Sequence, residues 1–370
     1  IDGLIIEGTK SNIIPNGFRS IIPPGTTVKN IELKDKILTI DFSKEFLEVN
    51  EKNEKKMIEA IVYTLTSING IDKVLIKVEG EILDKLPSGN NVPTILDRSY
   101  GINNINLDLI YALPNENLKT LKNEWGSNVF RIAMYTEENG YINNPDFIYE
   151  KIINITDILI DLDLYIIIDW HILNDGDPNI HIEEAKKFFN KYSGKYKDSP
   201  NILYEICNEP NGTTVTWNDS IKPYAEEIIP IIRENNPDSI IIVGTPHWCT
   251  KFSDVHENPL AFKNILYSCH YYTGTYLNDI KDNIEILKEK NLPVIVTETG
   301  LTDKTGDGKL YYDEFDSWIK YLNKENISWF YWSFSNTNPS SSILREDYRV
   351  GKNILKYLSD AGKYLLNKYQ

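Results

Sequence analysis

The chain has 370 residues, enough for one large α/β barrel with a small extra domain, or for two to three ordinary domains. Hydrophobic residues make up 41% and aromatics 11%, which supplies a sizeable core and excludes wholesale disorder. The 54 Asp and Glu outnumber the 39 Lys and Arg, and the net charge of -15 excludes nucleic acid and anionic membranes as partners while leaving an uncharged polymer indifferent.

The chain opens on IDGLIIEGTK without an initiator Met, which reads as a processed or trimmed start and says nothing about secretion. Up to about residue 100 the texture is that of a small α+β module. Two alternating strands in IIPPGTTVKNIELKDKILTIDFSKEF flank the polar turn Lys34-Asp35-Lys36. The helix-period segment EKKMIEAIVYTLTSI and the strand KVLIKVEG follow. SGNNVPTILDRSYG, rich in turn formers, marks the boundary, giving domains 1–103 and 104–370.

From about residue 114 strands alternate with helices. The apolar runs are 128–136, 165–171, 202–210, 239–248, 265–272, 293–300 and 328–336. Near-continuous apolar strands alternating with helices predict a parallel sheet covered on both faces. An eighth strand is needed to close a (β/α)8 TIM barrel, and TILDRSYGINN is the weak candidate for strand one. No run approaches the roughly 18 apolar residues of a membrane span. Three cysteines, Cys207, Cys249 and Cys269, are too few and too odd in number for a disulfide framework; two lie in apolar runs, where a buried thiol is the default.

In a parallel barrel the active site gathers where strand C-termini meet their loops. This chain places a polar or aromatic residue at nearly every such end: Arg131, His171, Asn208, Glu209, His270, Tyr272, Glu298 and Trp332. A charge on a buried strand costs several kcal/mol unless paired. A structural ion pair would explain two carboxylates; the ring of His, Tyr and Trp around them points to a site. Glu209 and Glu298, on strands four and seven, face each other across the mouth. At a separation of about 5–5.5 Å such a pair suits retaining glycoside hydrolysis, and beyond about 6.5 Å an inverting mechanism. Arg131 beside Glu298 would hold it ionised as nucleophile, leaving Glu209 as proton donor.

Seven motifs in order, VFRIAMYT, YIIIDWHILNDGDPN, ILYEICNEPNG, SIIIVGTP, HYY, VTETG and YWSFSN, resemble glycoside hydrolase family five, the cellulase-type barrels of clan A. Carried over by position, the resemblance implies Glu209 as acid/base and Glu298 as nucleophile. It also implies Asn208 on the sugar 2-hydroxyl, Tyr272 on the nucleophile and Trp332 beneath the reacting sugar, with Arg131, His171 and His270 completing the site. Trp248, in TPHWCTKF, matches an aromatic that stacks on the leaving-group side, with a core Trp as the alternative. The expected activity is an endo-β-1,4-glucanase acting on β-glucan outside the cell or at its envelope. The chain departs from the family at strand one, where a His-Gly pair and a Trp are absent around Asn104 to Leu109. After strand eight, Asn336, Thr337 and Asn338 stand where a Lys and an acid are usual. These departures predict weakened distal subsites and leave the alternative of a degenerate barrel that binds glycan or envelope without turnover.

Residues 1 to about 103 resemble the GerM-type domain of sporulation and germination proteins, which implies a binding role with cell-envelope contact and no catalysis. No cofactor is expected. The one metal candidate is DKTGDGKLYYDE, where Asp303, Thr305, Asp307 and Glu314 fall near EF-hand ligand positions for calcium. Thr at the third position and a strand rather than a helix in front count against it. His181 and His256 read as surface residues, and His247 has no evident partner.

Overall fold

The computed structural model describes residues 21–66, 68, 70–97, 106–109, 115–138, 140–275, 278–337, 340–349 and 352–369. The chain divides into two compact units, Ile1–Asn103 and Asn104–Gln370, each with its own core. No helix among the described residues is long and apolar enough to cross a membrane.

In the first unit, β1 (Val28–Lys34) and β2 (Ile37–Phe42) form an antiparallel hairpin, α1 (Glu54–Thr66) follows, and β3 (Lys73–Val78) and β4 (Glu81–Ile82) complete a sheet of order β1-β2-β3-β4. Asp35 and Lys36 both take positive φ, as a two-residue hairpin turn requires to match strand twist. Met57, Ile58, Ile61, Val62 and Leu65 repeat at helical spacing and are buried against Ile40, Val74 and Ile76.

In the second unit eight parallel strands close a barrel: β5 (Asn106–Leu109), β6 (Val129–Tyr135), β7 (Tyr165–His171), β8 (Ile202–Glu205), β9 (Ile241–Gly244), β10 (Ile265–Tyr272), β11 (Val294–Gly300) and β12 (Trp329–Phe334). Helices α2 (Asn115–Trp125), α3 (Pro145–Asp161), α4 (Ile182–Lys195), α5 (Lys222–Asn235), α6 (Ser253–Glu257), α7 (Asn278–Glu289), α8 (Tyr312–Glu325) and α9 (Asp360–Tyr369) alternate with them. The first strand is therefore not TILDRSYGINN. Leu96 exchanges backbone hydrogen bonds with Val74 at 2.7 and 2.8 Å, so the start of that segment belongs to the first unit's sheet. Residues 98–105 of it lie outside the described residues. The barrel closes instead through Asn106–Leu109, which pairs with β12 and β6.

Alternation along each strand sorts the side chains. Outward residues such as Phe130, Ile132, Ile166, Ile168, Tyr204 and Val243 join the large core between barrel and helices. Inward residues stack in layers. Ile167, Ile242, Ile295 and Phe330 form a dry floor, with Val129, Leu203 and Leu266 packed against it. Two residues further along the strands the inward positions become Arg131, Asp169, Glu205, Ser268 and Thr297, all essentially without exposure.

Candidate active site

The charged layer is organised by one guanidinium. Arg131 donates from Nε to Glu205 Oε2 at 2.6 Å and from Nη2 to Asn208 Oδ1 at 2.5 Å; Nη2 also lies 2.9 Å from Asp169 Oδ2 and Nη1 3.5 Å from Glu298 Oε2. A fixed planar fork suits this position better than a lysine's point charge. Asp169 Oδ2 also takes His171 Nδ1 at 2.6 Å, so His171 presents Nε2 toward Asn208 Nδ2 at 3.5 Å. Burial holds His171 down at about 4, so its ring stays neutral, and it stacks nearly parallel to Trp332 with centroids 5.4 Å apart.

Strand alternation alone would misdirect Glu298. Ile295 faces the floor and Val296 the outer core, so Thr297 turns inward and Glu298 would turn out. A register shift intervenes: Cys269 pairs with Val296 but His270 pairs with Glu298, leaving Thr297 as the extra residue. Bulges of this kind re-aim a side chain next to an active site. Both Thr297 and Glu298 thereby reach the barrel mouth.

Asn208 and Glu209 lie beyond β8, which ends at Glu205, rather than within it. The ladder continues irregularly, through Ile206 N–H to Ile242 O at 3.0 Å and Asn208 N–H to Trp170 O at 3.1 Å. Gly244 permits this path. A Cβ there would sit 2.4 Å from Cys207 O and 2.6 Å from Asn208 O, so any side chain would push the Asn208-Glu209 segment away.

One oxygen of Glu209, one of Glu298 and a His270 nitrogen all lie within 4.8 Å of one another. That separation falls on the retaining side, below the roughly 6.5 Å at which inverting pairs begin. Glu298 accepts from Tyr272 Oη at 2.5 Å and faces Arg131, while among the described residues the Glu209 carboxylate meets His270 Nδ1 at 2.8 Å and no side-chain donor besides. Burial pushes Glu209 up to about 7, with His171 and Arg131 opposing. Burial and then the Glu209 charge also raise Glu298, against His270, Arg131 and His171. Arg131 therefore limits the rise of Glu298 rather than reversing it. Two carboxylates this close titrate as a pair, and the proton rests on the one with fewer donors, Glu209.

Trp248 is 49% exposed, which removes the core alternative. His247, Trp248 and Cys249 carry φ of 55°, 56° and 58°, a left-handed run that persists only where surroundings impose it. The restraints come from the Glu209 segment: Trp248 N–H donates to Pro210 O at 3.1 Å, and the Cys249 thiol to Asn208 O at 2.9 Å. The exposed ring and the acid are thus held by one piece of backbone.

The calcium candidate is knotted on itself. Asp303 Oδ1 takes Thr305 N–H at 2.9 Å, Asp307 Oδ1 takes Gly308 N–H at 2.8 Å and the Ser340 hydroxyl, and Glu314 lies in the first turn of α8. Among the described residues Asp303, Asp307 and Glu314 do not form a ligand cluster. His181 is not a plain surface residue: its Nε2 sits 3.0 Å from Glu137 Oε1 and 4.0 Å from Asp175 Oδ2. Asp175 is itself occupied by Thr136 Oγ1 and Leu173 N–H. Asn336 caps its own loop through Tyr348 O at 3.3 Å, and residue 338 lies outside the described residues.

Sequence reasoning missed Asp169, Glu205, Thr297 and Gly244. The signal for the first two was present, an acid inside YIIIDWH and another inside ILYEIC, each two or four residues before a named site residue. Thr297 and Gly244 carry no such mark, because a register shift and a close backbone approach are properties of the fold.

The cellulase (glycosyl hydrolase family 5) profile matches residues 90–338, and a sporulation and spore germination domain matches residues 3–84. Endoglucanase A of Evansella cellulosilytica is 44% identical over 229 residues, covering 62% of this chain and 47% of that protein. An endoglucanase of Clostridium saccharobutylicum is 45% identical over 230 residues, covering 62% and 51%. The chain thus spans about half the length of these curated relatives. Among solved structures, the cellulase Cel5C_n superposes with a TM-score of 0.67 at 36% identity, over 75% of this chain and 89% of that one. The catalytic domain of Thermobifida fusca endoglucanase Cel5A gives 0.65 at 30% identity, over 75% and 94%. With its barrel, its paired carboxylates and a profile match over most of its length, this chain belongs to glycosyl hydrolase family 5, the cellulase family.

Proposed function

We propose that the protein is a retaining endo-β-1,4-glucanase that cleaves β-glucan by double displacement. The observation that carries the reading is the Glu209–Glu298 pair, with oxygens within 4.8 Å and unequal sets of donors. In the first step Glu298 attacks the anomeric carbon while Glu209 gives its proton to the departing glycosidic oxygen. The resulting glycosyl-enzyme is then opened by water, from which Glu209 takes a proton back. Tyr272 and Arg131 stabilise Glu298 as a carboxylate before attack and as a leaving group afterwards. Arg131 also pins Asn208 through its Oδ1, and the family resemblance puts the sugar 2-hydroxyl at this amide. Trp332, held flat on His171, supplies an apolar surface for the reacting sugar, and Trp248 offers a second, exposed ring.

The chemistry uses no cofactor, since acid, nucleophile and their supports are all side chains; calcium at the Asp303–Glu314 loop is not part of the reading. A polymer too large to enter a cell places the reaction outside it, and the germination-type domain supports contact with the cell envelope. The non-catalytic alternative is not favoured, because a glycan-binding surface has no need of a buried Arg131 layer that keeps two carboxylates in different states.

Release of reducing ends from carboxymethylcellulose, mannan and mixed-linkage β-glucan tests the proposal. The intact protein should act on the two β-glucans in preference to mannan, and Glu298→Ala should abolish the release. Unchanged release by Glu298→Ala would sink the assignment.

A further inference from the structure

The hydrogen at one hydroxyl decides where the catalytic proton sits. Thr297 Oγ1 lies 2.8 Å from Glu205 Oε1 and 2.9 Å from His270 Nε2, and it also meets Ser268 Oγ. A hydroxyl has a single hydrogen to give and two lone pairs to receive with. Glu205 is the strongest acceptor of the three, because its other oxygen is held by Arg131 Nε at 2.6 Å. The Thr297 hydrogen therefore goes to Glu205, and Thr297 must accept from Ser268 and from His270. His270 then carries its hydrogen on Nε2. The Nδ1 of a neutral imidazole in that tautomer is bare, and here it faces Glu209 Oε1 at 2.8 Å. A bare nitrogen at that distance calls for the proton on Glu209.

We propose that Thr297 and Glu205 are positioning residues that lock His270 in its Nε2–H tautomer, so that Nδ1 accepts the Glu209 proton and holds the acid ready for the leaving group. The proposal rests on the glycoside hydrolase reading and adds to it how the acid is set. It also says how the acid becomes a base: once the proton has left, the Glu209 carboxylate faces a nitrogen lone pair, which favours its taking a proton back from water.

The chain of groups has a second arrangement with the same number of protons. In it Glu205 is neutral and donates to Thr297, Thr297 donates to Nε2, and Nδ1–H donates to a Glu209 carboxylate. Arg131 selects against it, because a neutral Glu205 would waste the contact at 2.6 Å. Burial raises Glu205 too, and Arg131 is the largest influence opposing that rise. The groups that face His270 are Glu209 beyond β8, Glu205 on β8, Arg131 on β6, His171 on β7 and Glu298 on β11, whose Oε2 is 3.9 Å from Nδ1. Glu298 is the competing acceptor for an Nδ1 hydrogen, and Tyr272 and Arg131 occupy it. Burial holds His270 at about 4, which keeps the ring neutral and the tautomer question binary.

Two measurements on the full chain test this. The first is the pH dependence of kcat/KM on soluble carboxymethylcellulose for the intact protein, Thr297→Val and Thr297→Ser. Removing the hydroxyl frees His270 to turn its hydrogen to Nδ1 and stabilise the Glu209 carboxylate, so in Thr297→Val the basic limb should move down by about one pH unit. Thr297→Ser, which restores the hydroxyl, should keep the original limb. An unmoved limb in Thr297→Val, or an equal shift in Thr297→Ser, overturns the proposal. The second measurement needs no variant: nitrogen-15 shifts of the His270 ring should show hydrogen on Nε2, and hydrogen on Nδ1 overturns the proposal. Failure of the underlying reading looks different, since Glu209→Gln would then retain full turnover.

Discussion

Two layers of the same barrel, two residues apart along each strand, do opposite things. The floor of Ile167, Ile242, Ile295 and Phe330 is dry and uniform, and every side chain there gains free energy by leaving water. The layer above holds Arg131, Asp169, Glu205 and Thr297 at the same near-zero exposure, and each charge there is tolerable only because its neighbours compensate it. The comparison teaches that burial is shared and function is not. A barrel interior supplies a low-dielectric chamber, and polarity two residues further along each strand turns that chamber into a site.

The largest effect should come from removing the hub of the upper layer. Arg131→Leu leaves Asp169, Glu205 and Glu298 buried with no cation among them, and should cost about 3–5 kcal/mol of stability by denaturant titration. Activity should fall with it even where the fold survives at low temperature. A comparable stability with Leu would show that the layer is not held by charge.

In the floor, Ile295→Ala should cost about 2–5 kcal/mol, with a pH profile of activity that keeps its wild-type limbs. A displaced limb would mean that floor and upper layer are coupled, and the distinction between them would fail.

Glu209→Gln sharpens the contrast in the other direction. Glu209 is raised from 4.5 to about 7, so its burial favours the folded state fully below pH 4.5, and that advantage is lost as pH rises through about 7. Replacing it by a neutral amide should therefore stabilise the protein at pH 8 by about 1–3 kcal/mol relative to the intact chain, and by little at pH 4. Equal effects at both pH values would contradict the raised value.

The smallest effect on stability should be that of Trp248→Ala, within about 0.5 kcal/mol for a half-exposed ring, while KM for a polymeric glucan rises several-fold. An unchanged KM would remove Trp248 from the binding surface.

How much of this could be read in the sequence follows from the same layering. Arg131, His171, His270 and Glu298 stood out because a polar residue at the end of an apolar strand has no structural excuse. Asp169 and Glu205 are inconspicuous inside apolar runs, although an acid at an inward position is the more demanding case. The sequence offers TILDRSYGINN for the barrel's first strand because Asn-Leu-Asp-Leu is too short and too polar to announce itself; its pairing with β12 and β6 is what defines it. The inward turn of Glu298 depends on a one-residue register shift against β10, which periodicity cannot express. The departures at Asn104 to Leu109 fall partly outside the described residues and partly on β5.

The central claim is that Glu298 forms a covalent bond to the sugar and Glu209 supplies and recovers the proton. The most direct test is the anomeric configuration of the first product, followed by proton NMR during early hydrolysis of a soluble β-glucan fragment. Double displacement predicts that the β-anomer appears first and mutarotates later. Initial release of the α-anomer would contradict the account, because single displacement calls for carboxylates more than about 6.5 Å apart, whereas oxygens of this pair lie within 4.8 Å.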